Sequence, residues 1–292
     1  MFKINKNDPT SLTMVGQPVS VPGEFPNTIA ASAKQKLVCV GTSGAKAGVS
    51  CSSFSASGVA GMDALRPFKL NQTTPPSGPL NTVSQVFFSQ DETRLYTTVK
   101  GDPTKGNTGF LSSFGVEAGC DRGQMMVSQT GVQSSPNGTA VLFGSSTIPG
   151  STDLFVTDAS FGAAVLSMDK ATNVASVKGK SAIEGQKATC WATVSKATKT
   201  AFVTDVAMNR IVEMSVTDAK ILNTIDLSAN GDPGLIDLQA AGNFIYALSP
   251  GNGTKSAAIS VVDVQSKKQV QHFQAVGSSF GKDSMGMAVF MK

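Results

Sequence analysis

Apolar residues along the chain fall into short runs separated by polar turns, and the runs recur in a fixed order. Five runs of one type are "LVCVG" at 37–41, "LYTTV" at 95–99, "LFVTD" at 154–158, "AFVTD" at 201–205 and "FIYAL" at 244–248, spaced 43 to 59 residues apart. Each follows another apolar run: "NTIAAS" at 27–32, "VSQVFFS" at 83–89, "TAVLFGSS" at 139–146, "ATCWATVS" at 188–195 and "LIDLQA" at 235–240. Behind each comes a third run of alternating polarity ("GVSCSSFSA", "GFLSSFGVE", "GAAVLSMD", "NRIVEMSV", "SAAISVVDV"). A fourth closes the unit ("ALRPFKL", "RGQMMVS", "VASVKGK", "ILNTIDL", "QVQHFQA"). Runs this short, bounded by "SAKQK", "SQDETR", "PGSTD", "SKATKT" and "AAGN", read as strands joined by hairpin turns. Helical periodicity is scarce.

Four strands per repeat predict an all-β chain, a β-propeller of four-stranded antiparallel blades. One such sheet cannot bury both faces alone, whereas blades stacked around an axis can. A β-sandwich is the rival, but it gives no reason for a four-strand repeat. The pattern places complete blades at 27–70, 83–128, 139–180, 188–227 and 235–275 within a single domain, 1–292. Partial blades fall at 1–20 and 285–291. "MFKINK" reads as a third strand, "SLTMVGQPVS" as a fourth, and "MGMAVFM" as a first strand with nothing after it. A blade completed from both termini would lack its second strand, so the pattern predicts a further N-terminal segment of at least one strand.

Composition supports this picture and narrows the function. Of 292 residues, 40% are hydrophobic, enough for a large core, and only 15% are charged. The net charge of +4 comes from scattered residues, and Trp191 is the only tryptophan beside two tyrosines. A nucleic-acid groove needs clustered cations beside exposed stacking rings, so that class is excluded. No apolar run is long enough to span a bilayer, and "MFKINKNDPT" is too polar for a signal peptide.

The motifs are few. No C-x-x-C, H-E-x-x-H or D-x-D-x-D-G pattern occurs, so no metal site and no cofactor are predicted. "GSSFG" at 277–281 matches G-x-S-x-G but leads into a strand rather than a helix, and the only base on offer is His272. "GTSGAKAG" at 41–48 lacks the G-K-[ST] ending of a phosphate loop and reads as a hairpin connection. Four cysteines are compatible with two disulfides or with buried thiols. Cys39 ends a second strand and Cys51 lies in the third strand of the same blade, which brings them together; Cys120 and Cys190 are paired by elimination. Asn71, Asn137 and Asn252 head glycosylation acceptors in predicted loops. Disulfides and glycans both point outside the cell.

The segments "GEFPNTIAAS…LVCVGTSGAKAGVSC", "LNQTTPPSGP", "VSQVFFSQDETRLYTTVKG" and "GMAVF" resemble the fungal secreted proteins described as 3-carboxymuconate cyclase-like. Those are similar in turn to seven-bladed lactonase and muconate-cycloisomerase propellers. The resemblance covers essentially the whole chain. It implies a signal peptide and roughly one and a half further blades upstream of Met1. It also implies catalysis by His, Arg and Glu side chains in the central channel. This chain does not match there: His272 falls on a fourth strand, at the outer edge of its blade, and Arg66, Arg94, Arg122 and Arg210 fall on outer strands or turns.

Propeller ligands bind at a channel mouth, lined by the loops that lead into first strands. Those loops offer Glu24, Asn27, Gln85, Gln133, Glu184, Asp232 and Asp283, carboxylates among them suited to acid–base work if they converge. The sequence thus favours a secreted, monomeric propeller that binds a small molecule, a glycan or a host or cell-wall protein, with neither nucleic acid nor membrane as partner. The alternative is a cycloisomerase or lactonase working at the channel.

Overall fold

The computed structural model describes residues 1–119, 123–275 and 280–291. Its strands follow the repeat. A two-stranded ribbon, Phe2–Ile4 with Leu12–Met14, precedes five larger antiparallel sheets. The first sheet runs Pro26–Ser32, Leu37–Thr42, Gly48–Ser55 and Gly58–Val59, and Arg66–Pro67 also pairs with Gly48–Ser55. The second runs Val83–Phe88, Arg94–Val99, Phe110–Ala118 and Met125–Ser134. The third runs Leu142–Thr147, Leu154–Asp158, Gly162–Met168 and Ala175–Ala182. The fourth runs Thr189–Ser195, Thr200–Asp205, Met208–Ser215 and Ile221–Asp226. The fifth runs Asp237–Ala241, Phe244–Ser249, Ala258–Asp263 and Lys268–Gln274. The only helical turns among the described residues are 3-10 turns at Pro103–Lys105 and Ser228–Asn230. Four-stranded antiparallel sheets in simple consecutive order, almost without helix, are the architecture expected of a β-propeller. No helix is long and apolar enough to cross a membrane among the described residues.

The chain forms two compact units, Met1–Gly101 with Leu111–Gln133, and Asp102–Phe110 with Ser134–Lys292. In the first unit, Cys39 and Cys51 stand directly opposite on neighbouring strands and are joined by a disulfide, as the hairpin reading expects. Beside them Arg66 stands on an outermost strand, as its sequence placed it, and is one of the most buried side chains, 2% exposed. Its guanidinium grips both oxygens of Asp63 at 3.0 and 2.7 Å and donates to the carbonyls of Ser128 and Val127. Asp63 in turn accepts the amide of Cys51. A planar five-donor group satisfies all these acceptors at once, which is why the charge tolerates burial.

In the second unit the core lies between successive sheets. Phe155, Val165, Val194, Val203 and Met214 fill the space between the third and fourth sheets. Phe202, Ile211, Leu238, Ile245 and Val262 fill that between the fourth and fifth. The repeated "VTD" has a structural purpose. Asp158 ends a second strand and accepts the amides of Ala140, Val141 and Ser160. Asp205, at the same place one sheet later, accepts those of Lys187, Ala188 and Ala207. Each carboxylate thus fixes the chain leading into its own sheet's first strand, through charge-assisted bonds that burial strengthens. The fifth sheet has Ser249 at that position.

Candidate functional site

Among the described residues the first strands of four of the five larger sheets are irregular. The pairing register slips between Pro26 and Thr28, between Val83 and Gln85, between Leu142 and Ser145, and between Thr189 and Ala192. Such bulges re-aim side chains, and they concentrate at functional edges. In the second unit two of them bring Phe143 and Trp191 together, edge to face, with centroids 5.8 Å apart and planes at 85°. Both rings are only partly buried.

Three consecutive first strands meet at this level. A Cβ on Gly144 would lie 2.6 Å from the Cα of Trp191, so only glycine permits the approach. The Thr157 hydroxyl accepts the Gly144 amide at 2.8 Å and donates to the Cys190 carbonyl at 2.5 Å. The Cys190 thiol then donates to the Ile236 carbonyl at 3.2 Å. The next residue is Asp237.

Asp237 opens the first strand of the fifth sheet and is 4% exposed. Its Oδ2 accepts the Met287 amide at 2.6 Å, while Oδ1 is buried with no hydrogen-bond partner among the described residues. Burial pushes its pKa up to about 6, against the pull of two backbone amides, those of Met287 and Leu238. Strand alternation puts Leu238 into the core between the fourth and fifth sheets and places Asp237 and Gln239 on the opposite face. There Gln239 reaches the Met287 carbonyl at 3.5 Å. The segment 285–291, expected as a first strand, forms none, yet its Met287 sits beside Asp237–Ala241 where a further first strand would run.

The residues singled out by sequence are divided between the two units. Glu24 and Asn27 belong to the first unit. Glu24 accepts the Thr74 hydroxyl at 2.6 Å, which with Lys46 lowers its pKa, and Asn27 bridges Ser43 and the Val83 carbonyl. Gln85 lies within the strand Val83–Phe88. Gln133 is exposed on the fourth strand of the second sheet rather than in a loop leading to the third, because that strand runs on to Ser134. Glu184 is exposed and offers only its carbonyl, to Arg210. Asp283 is exposed and pairs with its neighbour Lys282. Among the described residues no three His, Cys, Asp or Glu side chains gather as a metal site would require.

Asp232, in the second unit, meets the histidine. His272 Nε2 lies 3.0 Å from Asp232 Oδ2, in a network where Asn230 joins Asn209, Ser260 and Gln269. His272 sits on the outermost strand as expected, and the pair ties the loop between the fourth and fifth sheets to that strand. Cys120 and Arg122 lie outside the described residues, as do 277–279 of "GSSFG". Asn71, Asn137 and Asn252 are exposed and outside strands. Sequence reasoning missed Asp237; its signal is an acid inside an otherwise apolar first strand, "LIDL".

No protein-family profile matches the sequence, and no curated protein matches it either. Solved structures do match in fold. The periplasmic gluconolactonase of Pseudomonas aeruginosa superposes with a TM-score of 0.64 at 13% identity, over 95% of this chain and 79% of its own. A Bacteroides uniformis protein described as a candidate 6-phosphogluconolactonase gives 0.62 at 15% identity, over 85% and 71%. A chain of the nidogen/laminin complex gives 0.55 at 11% identity, over 94% and 88%. At these identities the likeness is one of fold, and it reaches lactonase-type β-propellers and a binding protein alike.

Proposed function

We propose that the chain opens or closes the ring of a small carbohydrate-derived lactone at the first-strand level of its second unit, with Asp237 as acid–base residue. The observation that carries this reading is the Asp237 carboxyl itself, buried, with one oxygen unpartnered among the described residues and a pKa pushed up to about 6. A carboxyl that titrates near working pH serves both halves of the reaction. As carboxylate it takes a proton from the water attacking the ring carbonyl. As carboxylic acid it returns that proton to the ring oxygen when the acyl C–O bond breaks, so one lactone and one water give one hydroxy acid. Trp191, edge-packed on Phe143, offers a flat surface for the apolar face of a sugar ring. The two lactonase-type structures share the fold. The carboxymuconate lactone chemistry suggested by the sequence resemblance is the same class of ring closure.

The test is ring opening of D-glucono-1,5-lactone followed by NMR, with the uncatalysed rate subtracted. Acceleration by the wild type that Asp237→Asn removes supports the reading. No acceleration with this lactone, its 6-phosphate or carboxymuconolactone sinks it.

A second reading is an extracellular propeller that binds a glycan or a host or cell-wall protein. The disulfide supports an oxidising compartment, and the nidogen/laminin chain shows the fold in a binding complex. The exposed Val270 and Phe273 on the outermost strand of the fifth sheet also favour it.

A further inference from the structure

Charge is nearly absent from the first strands of the five larger sheets. These strands are Pro26–Ser32, Val83–Phe88, Leu142–Thr147, Thr189–Ser195 and Asp237–Ala241, and in all five Asp237 is the one charged side chain. The chain as a whole is 15% charged, so the shortage belongs to this position in the sheets and not to the protein. The cations on strands of these sheets all stand further out. Arg94 lies on a second strand, Arg210 on a third, and Arg66, Lys178, Lys180 and Lys268 on outermost strands.

The polar groups left at this level are neutral. Gln239 shares the face of Asp237, and Ser146 and Thr147 are half-buried on the first strand of the third sheet. Carboxamides and hydroxyls both donate and accept, as sugar hydroxyls do. A phosphate or carboxylate calls for other partners, an Arg or Lys side chain or the amides of a helix N-terminus. The helical turns among the described residues are 3-10 turns of three residues each. In the second unit Lys178 pairs with Asp153, Lys267 with Glu213 and Lys282 with Asp283, while Arg210 donates to the Glu184 carbonyl. The raised pKa of Asp237 agrees with this setting, since burial lifts it and backbone amides alone oppose the rise.

We infer that this site takes an uncharged sugar lactone and discriminates against the phosphorylated or carboxylated counterpart, with Asp237 as the repelling charge and Gln239 as the neutral partner on its face. The inference rests on the site proposed above and names its substrate class. The carboxylate that acts as base is the single charge on the first strands, so an anionic substrate meets a like charge there and no first-strand cation offsets it. A neutral ring loses nothing by that arrangement. Its hydroxyls find acceptors and donors, and its apolar face finds Trp191 and Phe143.

The experiment is calorimetric titration of the full chain near neutral pH with D-gluconolactam, an uncharged and stable lactone analogue, and with its 6-phosphate. The lactam should bind at least about tenfold more tightly than the phosphate. Gln239→Lys, which sets a cation on the face of Asp237, should narrow that ratio by at least about tenfold. Equal or tighter binding of the phosphate by the wild type overturns the inference, whether or not the variant folds, and so does a lactam that fails to bind. A folded Gln239→Lys protein with the wild-type ratio overturns it as well. Hydrolysis of D-glucono-1,5-lactone and its 6-phosphate is read separately. A preference for the lactam without hydrolysis keeps the neutral site and removes the acid–base reading; hydrolysis of both lactones at equal kcat/KM does the reverse.

Discussion

Replacing Asp237 by asparagine should make the protein more stable at pH 8 and leave its stability at pH 4 nearly unchanged. The native carboxyl has a folded pKa of about 6 against 3.8 for an unburied aspartate. Because the folded value is the higher one, the carboxyl costs no charge burial below 3.8. Stability is then lost as pH rises, up to and through about 6. At about 1.36 kcal/mol per pH unit, the gap amounts to about 3 kcal/mol lost above neutrality. Asparagine carries no charge at any pH and so avoids that loss. Its carbonyl can still accept the Met287 amide, but its NH₂ then occupies the Oδ1 position, where no acceptor stands among the described residues. That unsatisfied donor costs about 1 kcal/mol against the carboxylate, whereas the protonated carboxyl leaves an O–H donor of its own there. The net expectation is a gain of about 2 kcal/mol at pH 8 and little difference at pH 4. Urea unfolding of both proteins at the two pH values measures it. A variant that is less stable at both, or equally stabilised at both, would refute the reasoning. A residue whose removal stabilises the fold while abolishing activity is one retained for function.

Other predictions concern the scaffold. Cys39→Ser with Cys51→Ser should lose about 3 kcal/mol by the chain-entropy estimate for a loop closed across 12 positions, read by urea unfolding of the oxidised and mutated proteins. Peptide mapping without reductant should recover these two cysteines linked. Arg66→Met leaves Asp63 without its ion pair and two carbonyls without donors, and should cost about 3 kcal/mol or more in the same assay. Asp205→Ala frees three backbone amides at the head of the fourth sheet and should cost about 2 to 3 kcal/mol, with Asp205→Asn recovering part of it. His272→Gln, on the outermost strand, should leave lactone turnover unchanged while lowering stability by about 1 kcal/mol.

The scaffold was legible because it repeats. Apolar runs at intervals of 43 to 59 residues mark the first, second, third and fourth strands of each sheet, and alternation inside the hairpin placed Cys39 opposite Cys51. The site was not legible for two physical reasons. A loop carboxylate is conspicuous in sequence, but its partner is not: Glu24 accepts from Thr74, 50 positions away, and Asp283 pairs with its neighbour Lys282. Asp237 is inconspicuous, a polar letter in "LIDL", and becomes unusual only when burial and the distant Met287 close over it. The His272–Asp232 pair joins residues 40 positions apart through a loop whose course no local pattern dictates. Arg66 shows the converse, since a lone arginine near a turn gives no sign that four acceptors await it.

The pH dependence of kcat/KM for D-glucono-1,5-lactone hydrolysis, corrected for the uncatalysed reaction, tests the central claim most directly. The account predicts a rate that rises through a single ionisation near pH 6 to a plateau, and that falls at least about a hundredfold in Asp237→Asn. A profile without that ionisation, or an Asp237→Asn protein as active as the wild type, would contradict it.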